Sequence, residues 1–211
     1  LELCKIAKEL ASGLGAEPAA AVFSKDDSIA KEVAKYVPEV FAVNDAALEV
    51  YTADGYTQAA KAVADSQDVK AFLIAHSYDG VDYAGKVAMA IEGGIVSNCN
   101  KVAVDGGKVV FTRNTYNGKI QEEKTVKTDK FVATFEKGAY DVEAAGGTGS
   151  VTAVSATLSD IRTKVKEIVE TMAGSVDISN AKVIVAGGRG VKDGDKYKEV
   201  IIPLAQKLGG E

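Results

Sequence analysis

Apolar positions at the start of the chain follow a helical repeat. Leu3, Ile6, Ala7 and Leu10 recur at i, i+3, i+4 and i+7 and share one face. Gly13 and Gly15 are placed to end that helix. Residues 19–23 are then continuously apolar, as suits a strand covered on both faces of a parallel sheet. The helical period returns over residues 29–37, and Pro38 closes it. A second buried strand is expected over 40–43, a helix over 57–64, a strand over 70–75 and a helix over 81–91. Gly93-Gly94 ends that last helix, and Ile95-Val96 opens another strand. Strands alternating with helices imply a parallel sheet covered by helices and joined by right-handed crossovers.

The middle of the chain reads differently. Residues 101–104 and 108–113 flank Asp105-Gly106-Gly107 as a hairpin, and Asn117-Gly118 marks a second turn. Residues 130–135 supply another strand. Together these predict an antiparallel annex of about four strands extending one edge of the sheet. Lys101, Lys108, Lys119, Glu122, Glu123, Lys124 and Lys127 read as its solvated faces. The run Gly146 to Ser150 lacks the lysine and hydroxyl of a phosphate loop and reads as a flexible connection. Residues 161–172 fit either a helix or a bulged strand.

Composition narrows the classes. The 211 residues carry 25 Lys plus Arg against 30 Asp plus Glu, a formal charge of −5. That balance argues against a nucleic-acid binder held by surplus positive charge. With no Trp and 7% aromatics, a stacking surface for bases is not expected either. Two cysteines, Cys4 and Cys99, make no disulfide framework and suit a reducing compartment. The single His76 excludes a histidine-rich metal site. With one histidine and no Gly-x-Ser-x-Gly elbow, a hydrolase is not expected. No apolar run approaches the roughly 20 residues of a membrane span. A helix with no strand before it is an unusual opening for such a chain, so a piece of a longer polypeptide is expected.

The one chemically suggestive motif lies late in the chain. Residues 181–186 are a predicted strand, Gly187-Gly188-Arg189-Gly190 a turn, and a helix opens near Asp195. Tyr197, Val200, Ile201, Leu204 and Leu208 share a face of this helix, and Pro203 predicts a kink or break. Strand, glycine turn and helix form the layout that brings main-chain amides against a phosphate. Arg189 adds a permanent cation with a planar fork.

These residues resemble the entry to the FAD domain of electron transfer flavoprotein alpha subunits, which carry a Ser/Ala-Gly-Gly-Arg-Gly turn after such a strand. Three further segments are similar to that family and fall in its order: residues 80–88, Ser97-Asn98, and residues 111–119 from Phe111 to Lys119. Lys86, Asn98, Asn114 and Lys119 depart from the family pattern.

The resemblance implies a parallel-sheet, nucleotide-hydrolase-like (Rossmann-like) three-layer α/β domain over residues 1–177, with the antiparallel extension. Residues 178–211 would be the first strand, turn and helix of a truncated FAD-binding domain. It also implies that residues 161–171 are a long strand leading to that domain. The implied role is an electron carrier rather than a catalyst. It would pair with a beta subunit and hold FAD through Gly187, Gly188, Arg189 and Gly190. Electrons would come from dehydrogenases such as the acyl-CoA dehydrogenases of fatty acid oxidation. No nucleic acid and no membrane insertion is expected, and the compartment would be a bacterial cytoplasm or a mitochondrial matrix. The other open reading is an adenine-nucleotide-binding module of the same broad fold, using His76-Ser77 at a strand end.

Overall fold

The computed structural model describes residues 1–142, 147–169, 178 and 181–211. The chain divides into two compact units, Leu1–Val165 and Lys166–Glu211.

In the first unit, helix α1 spans Glu2–Leu14. Gly15 ends it at φ 63°, donating its N–H to Ala11, in the left-handed conformation that only glycine adopts without strain. Strand β1 is Ala19–Ser24, helix α2 Ser28–Val33 and strand β2 Glu39–Asn44. Helix α2 stops four residues before the expected end. Lys35 and Tyr36 turn back to Glu32 and Val33 in tighter, three-residue bonds ahead of Pro38. Helix α3 (Ala53–Ser66) starts four residues earlier than the repeat suggests, because Thr52 caps it by accepting from the Gly55 amide. Strand β3 (Ala71–Ala75), helix α4 (Tyr78–Ala90) and the long strand β4 (Gly94–Asp105) follow. Strands β5 (Lys108–Thr115), β6 (Ile120–Thr125), β7 (Phe131–Phe135) and β8 (Ser150–Ala153) complete the unit.

The strands form two sheets, β1-β2-β8 and β3-β7-β4-β5-β6. The antiparallel annex is real but smaller than expected: β4, β5 and β6 pair as hairpins. Strand β7 does not belong to it. It runs parallel to β3 on one side and to β4 on the other. All five of its residues are buried, as an inner strand covered on both faces requires and an edge strand does not. Strand β4 changes partners along its length. Gly94 to Val96 pair with β7, the register shifts, and Cys99 to Asp105 pair mainly with β5. Asn98 at the shift has φ 60° and gives its N–H to the Thr134 hydroxyl.

Strand β8 was not expected at all. Gly149 and Ser150 dock on the α2–β2 turn through bonds to Ala34 and Pro38, so this connection is anchored rather than loose. The charged annex positions other than Glu122 are exposed, as the solvated-face reading requires.

Side chains alternate cleanly between two layers of helix. Phe131, Ala133 and Phe135 pack with Ile6 and Leu10 of α1, whereas Val132 packs with Ala60 of α3 and Val87 of α4. In the other sheet, Val40 and Ala42 meet Cys4 of α1 and Ala30 of α2, whereas Phe41 and Val43 meet Ala59 and Val63 of α3. The unit is a three-layer α/β domain with parallel strands at its centre. Each fully buried aliphatic side chain of this core contributes about 1.5–3 kcal/mol.

The long strand expected over residues 161–171 is not formed among the described residues of that range. Residues 161–169 carry no regular structure, and the rest lies outside the described residues.

In the second unit, residues 181–186 are not a strand. Ala181 donates to Ile178 just ahead of it, and across the segment Glu211 alone among the described residues donates to Val183 and accepts from Val185. One residue is too little partner for a ladder. Helix α5 (Gly194–Leu208) runs through Pro203 as one helix, so of the expected kink or break the break does not occur.

Two glycines of α4 should answer oppositely to alanine. A Cβ on Gly80 would sit 1.9 Å from the Ala75 carbonyl oxygen, whereas one on Gly85 meets nothing within 4 Å. Gly80→Ala should therefore destabilise the domain by at least about 1–3 kcal/mol through overpacking. Gly85→Ala should stabilise it by up to about 1 kcal/mol. Urea denaturation midpoints test both signs.

Candidate functional site

The glycine turn sits in the second unit, where the chain passes from residues 181–186 towards α5. Its glycines are there for different reasons. A Cβ on Gly187 would lie 3.0 Å from both Ile201 and Tyr197, so α5 packs directly on the turn. Gly188 and Gly190 face open space. Neither adopts a positive φ. Internal packing and backbone conformation therefore leave these two glycines unexplained, and a close external approach to the main chain remains as a reason for them.

Arg189 opens a short 3-10 turn, Arg189–Val191, and is exposed. Lys192 follows at φ 73° and ψ −61°. The Asp193 N–H reaches back to the Val191 carbonyl, closing a three-residue turn of the strained kind. The helix end is already occupied: the Asp193 carboxylate accepts from the amides of Asp195 and Lys196. An anion at this turn would thus meet the glycine main chain and the Arg189 guanidinium, not the first-turn amides that Asp193 caps. The face of α5 predicted to be apolar is half exposed at Val200, Leu204 and Leu208.

A second constellation lies in the first unit and was invisible in the sequence. Residues 154–162 run back over α3 as a strap. Val154, Ala156 and Leu158 pack beside Phe41 and Leu48. Gln58 then grips Ser159 at both ends, its Nε2 donating to the Ser159 carbonyl at 2.6 Å and its Oε1 accepting from the Ser159 amide at 2.8 Å. Asp54 completes the strap. Its Oδ2 accepts from the Arg162 amide and Nε, both at 3.1 Å, and its Oδ1 from Arg162 Nη2 at 3.0 Å and Lys86 Nζ at 3.2 Å. Bonding to Arg162 and then to Lys86 holds the Asp54 carboxyl far below the usual carboxylate range. More than a hundred residues separate Asp54 from Arg162, so no local signal could have joined them.

The residues of the alternative reading have structural employment. The Ser77 hydroxyl caps α4 by accepting from the Gly80 amide. His76 Nδ1 lies 2.8 Å from the hydroxyl of the buried Thr134, which also accepts from Asn98. Nearby, Arg113 reaches Ser97. Among the described residues, no group of three or more His, Cys, Asp or Glu could hold a metal ion. No described helix is long and apolar enough to cross a membrane.

Comparison with known proteins adds a family. The model of the electron transfer flavoprotein domain matches residues 1–160. The electron transfer flavoprotein subunit alpha of Bacillus subtilis is 36% identical over 188 residues, covering 86% of this chain and 57% of that protein. The subunit alpha of Syntrophomonas wolfei is 34% identical over 203 residues, 94% of this chain and 64% of that one. A probable mitochondrial subunit alpha of Caenorhabditis elegans is 36% identical over 103 residues, 47% of this chain and 30% of its own length. The chain therefore spans less than two thirds of the length of these relatives.

Asp54→Asn should loosen the strap. Trypsin cleavage after Arg162 should become several-fold faster, because the guanidinium is no longer held. In the unsubstituted protein the Asp54 carboxylate is ionised above the ordinary carboxylate range. Its hold on Arg162 is lost only as pH falls well below that range, towards the depressed folded value. A carbon-13 titration of the Asp54 carboxyl that inflects near pH 4 would contradict this account.

Proposed function

The chain belongs to the electron transfer flavoprotein family, and from that premise we propose that it is part of the alpha subunit of a heterodimeric electron carrier. In this reading the intact protein pairs with a beta subunit and holds FAD. It accepts electrons from dehydrogenases, acyl-CoA dehydrogenases among them, and delivers them to a downstream acceptor. It is a carrier, not a catalyst with its own substrate. Its compartment is the bacterial cytoplasm, or the mitochondrial matrix in a eukaryote. Residues 1–177 act as the scaffold domain and residues 178–211 as the opening of the flavin domain.

The observation that carries the proposal is the match to alpha subunits over 86% and 94% of the chain, more than the residues 1–160 that the family model matches. The turn suits the assignment. Gly188 and Gly190 have room for a ligand and no internal reason to be glycine. Bound flavin would supply the electron uptake and release. The chain's own part is to bind and orient. Gly187 lets α5 pack against the turn, Gly188 and Gly190 let main-chain atoms approach, and Arg189 offers a charged planar fork to a phosphate or an electron-rich ring. Asp193 keeps the nearby helix end capped, which leaves the turn itself as the contact.

Two measurements test this. Titration of the 211-residue chain with FAD, followed by flavin fluorescence, should give no stoichiometric sub-micromolar binding, since Arg189 and its glycines are only one wall of a site. The intact heterodimer should be yellow and release FAD on heating. There Arg189→Ala should weaken flavin binding by about 10-fold or more, as expected for loss of a charge-assisted hydrogen bond. A colourless heterodimer would end the proposal.

A further inference from the structure

Asp54 carries one negative charge and meets two cations. It stands in the first turn of α3 with only 10% of its side chain exposed. Arg162 takes it with a two-pronged contact, Nε on Oδ2 and Nη2 on Oδ1. Lys86 reaches the same Oδ1 from α4 at 3.2 Å. Among the described residues neither cation has another hydrogen-bond or ion-pair partner. Either one alone balances the carboxylate, so the two compete for it.

The competitors are mounted differently. Lys86 stands on α4, a helix fixed to the core through Ala84, Val87 and Ala88. Arg162 belongs to a stretch with no regular structure, and 77% of its side chain is exposed. What holds the strap as far as Ser159 is not charge. The Val154 amide donates to Ala42, Leu158 packs in the cluster of Phe41 and Leu48, and Gln58 grips Ser159. From Asp160 to Val165 the described hydrogen bonds are those of Arg162 to Asp54. Between the two anchors, Asp160 sits at φ 52°, a conformation that costs a non-glycine residue energy. When Arg162 leaves, Asp54 keeps Lys86 and the positive end of the α3 dipole, so the departure strands no buried charge.

We propose that Asp54, Lys86 and Arg162 form a releasable latch on the strap, in which Lys86 is the exchange partner that neutralises Asp54 when Arg162 swings out. The closed latch fixes the chain as far as Arg162. The open one fixes it only as far as Ser159. Opening frees residues 160–162, about 10 Å of extended chain, and adds them to the tether that leads into the second unit at Lys166. Lys86 is thus a positioning residue that acts on the strap by competition. Its removal should tighten the latch, the opposite of what loss of a third brace would do. This inference is independent of the flavin reading.

The test is cleavage by an arginine-specific protease, scored at Arg162 relative to the exposed Arg189 of the second unit. Lys86→Met should slow cleavage after Arg162 by about threefold or more. The Arg162 amide, which donates to Asp54 Oδ2 in the closed latch, should gain protection from hydrogen exchange by the same factor. Lys86→Arg keeps a competing cation and should slow neither. In an Asp54→Asn background Lys86→Met should change nothing, because no charge is left to compete for. Unchanged exchange of the inner-strand amides of Phe131–Phe135 certifies that each variant is folded. Cleavage and exchange at Arg162 that are equal or faster in Lys86→Met would overturn the proposal, since Lys86 would then be a brace or a bystander. So would a slowing that persists beside Asp54→Asn.

Discussion

The main-chain groups of Phe131–Phe135 are taken up on both sides, by β3 and by β4, and the whole larger sheet is arranged around that double pairing. Lateral hydrogen bonding is the constraint that sorts this chain's apolar runs. Residues 131–135 become an inner strand because neighbours of matching direction exist on either flank. Residues 181–186, no less apolar, form no strand, since beyond the Ala181 bond to Ile178 their described main-chain bonds go to Glu211 alone. The same requirement explains β4. Its first three residues answer to a parallel neighbour and its later ones to an antiparallel partner, so the strand must slip register in between. Asn98 absorbs the slip at a positive φ, an asparagine being among the few side chains that tolerate it.

Much of this was legible from periodicity. Leu3, Ile6 and Leu10 give α1, and Val81, Ala84, Val87 and Ala88 give α4, because burial on one face leaves its imprint every three to four residues. Turn chemistry gave both hairpins, since Asp105-Gly106-Gly107 and Asn117-Gly118 supply the positive φ angles such turns need. What could not be read was order in space. Nothing in residues 131–135 says that they insert between two strands met earlier. Four short residues after a glycine-rich run gave no reason to expect β8, whose identity comes from β2 beside it. Of the strand that the family pattern implies over 161–171, residues 161–169 form no part.

The glycine turn was legible as a motif and only partly as a mechanism. Gly187 turns out to serve packing against Tyr197 and Ile201, which composition alone could not separate from ligand approach. Asp193 is the residue that sequence reasoning passed over. An acidic side chain just before a helix is an ordinary cap, yet here it also decides which amides are left to meet an anion. The strap lay beyond reach altogether, because Asp54 and Gln58 are unremarkable polar positions on a helix until a chain a hundred residues away lies across them.

The grip of Gln58 on Ser159 has an evolutionary corollary. Both bonds go to main-chain atoms of residue 159, so the side-chain carboxamide stands in for a single peptide unit of a neighbouring strand. Residue 159 is therefore interchangeable: most substitutions there leave the carbonyl and amide where they are. Position 58 has almost no synonyms, since glutamate cannot donate and a shorter amide falls short. Tolerance of substitution at residue 159 and intolerance at residue 58 follow from one contact, with the burden of specificity resting wholly on the partner that contributes its side chain.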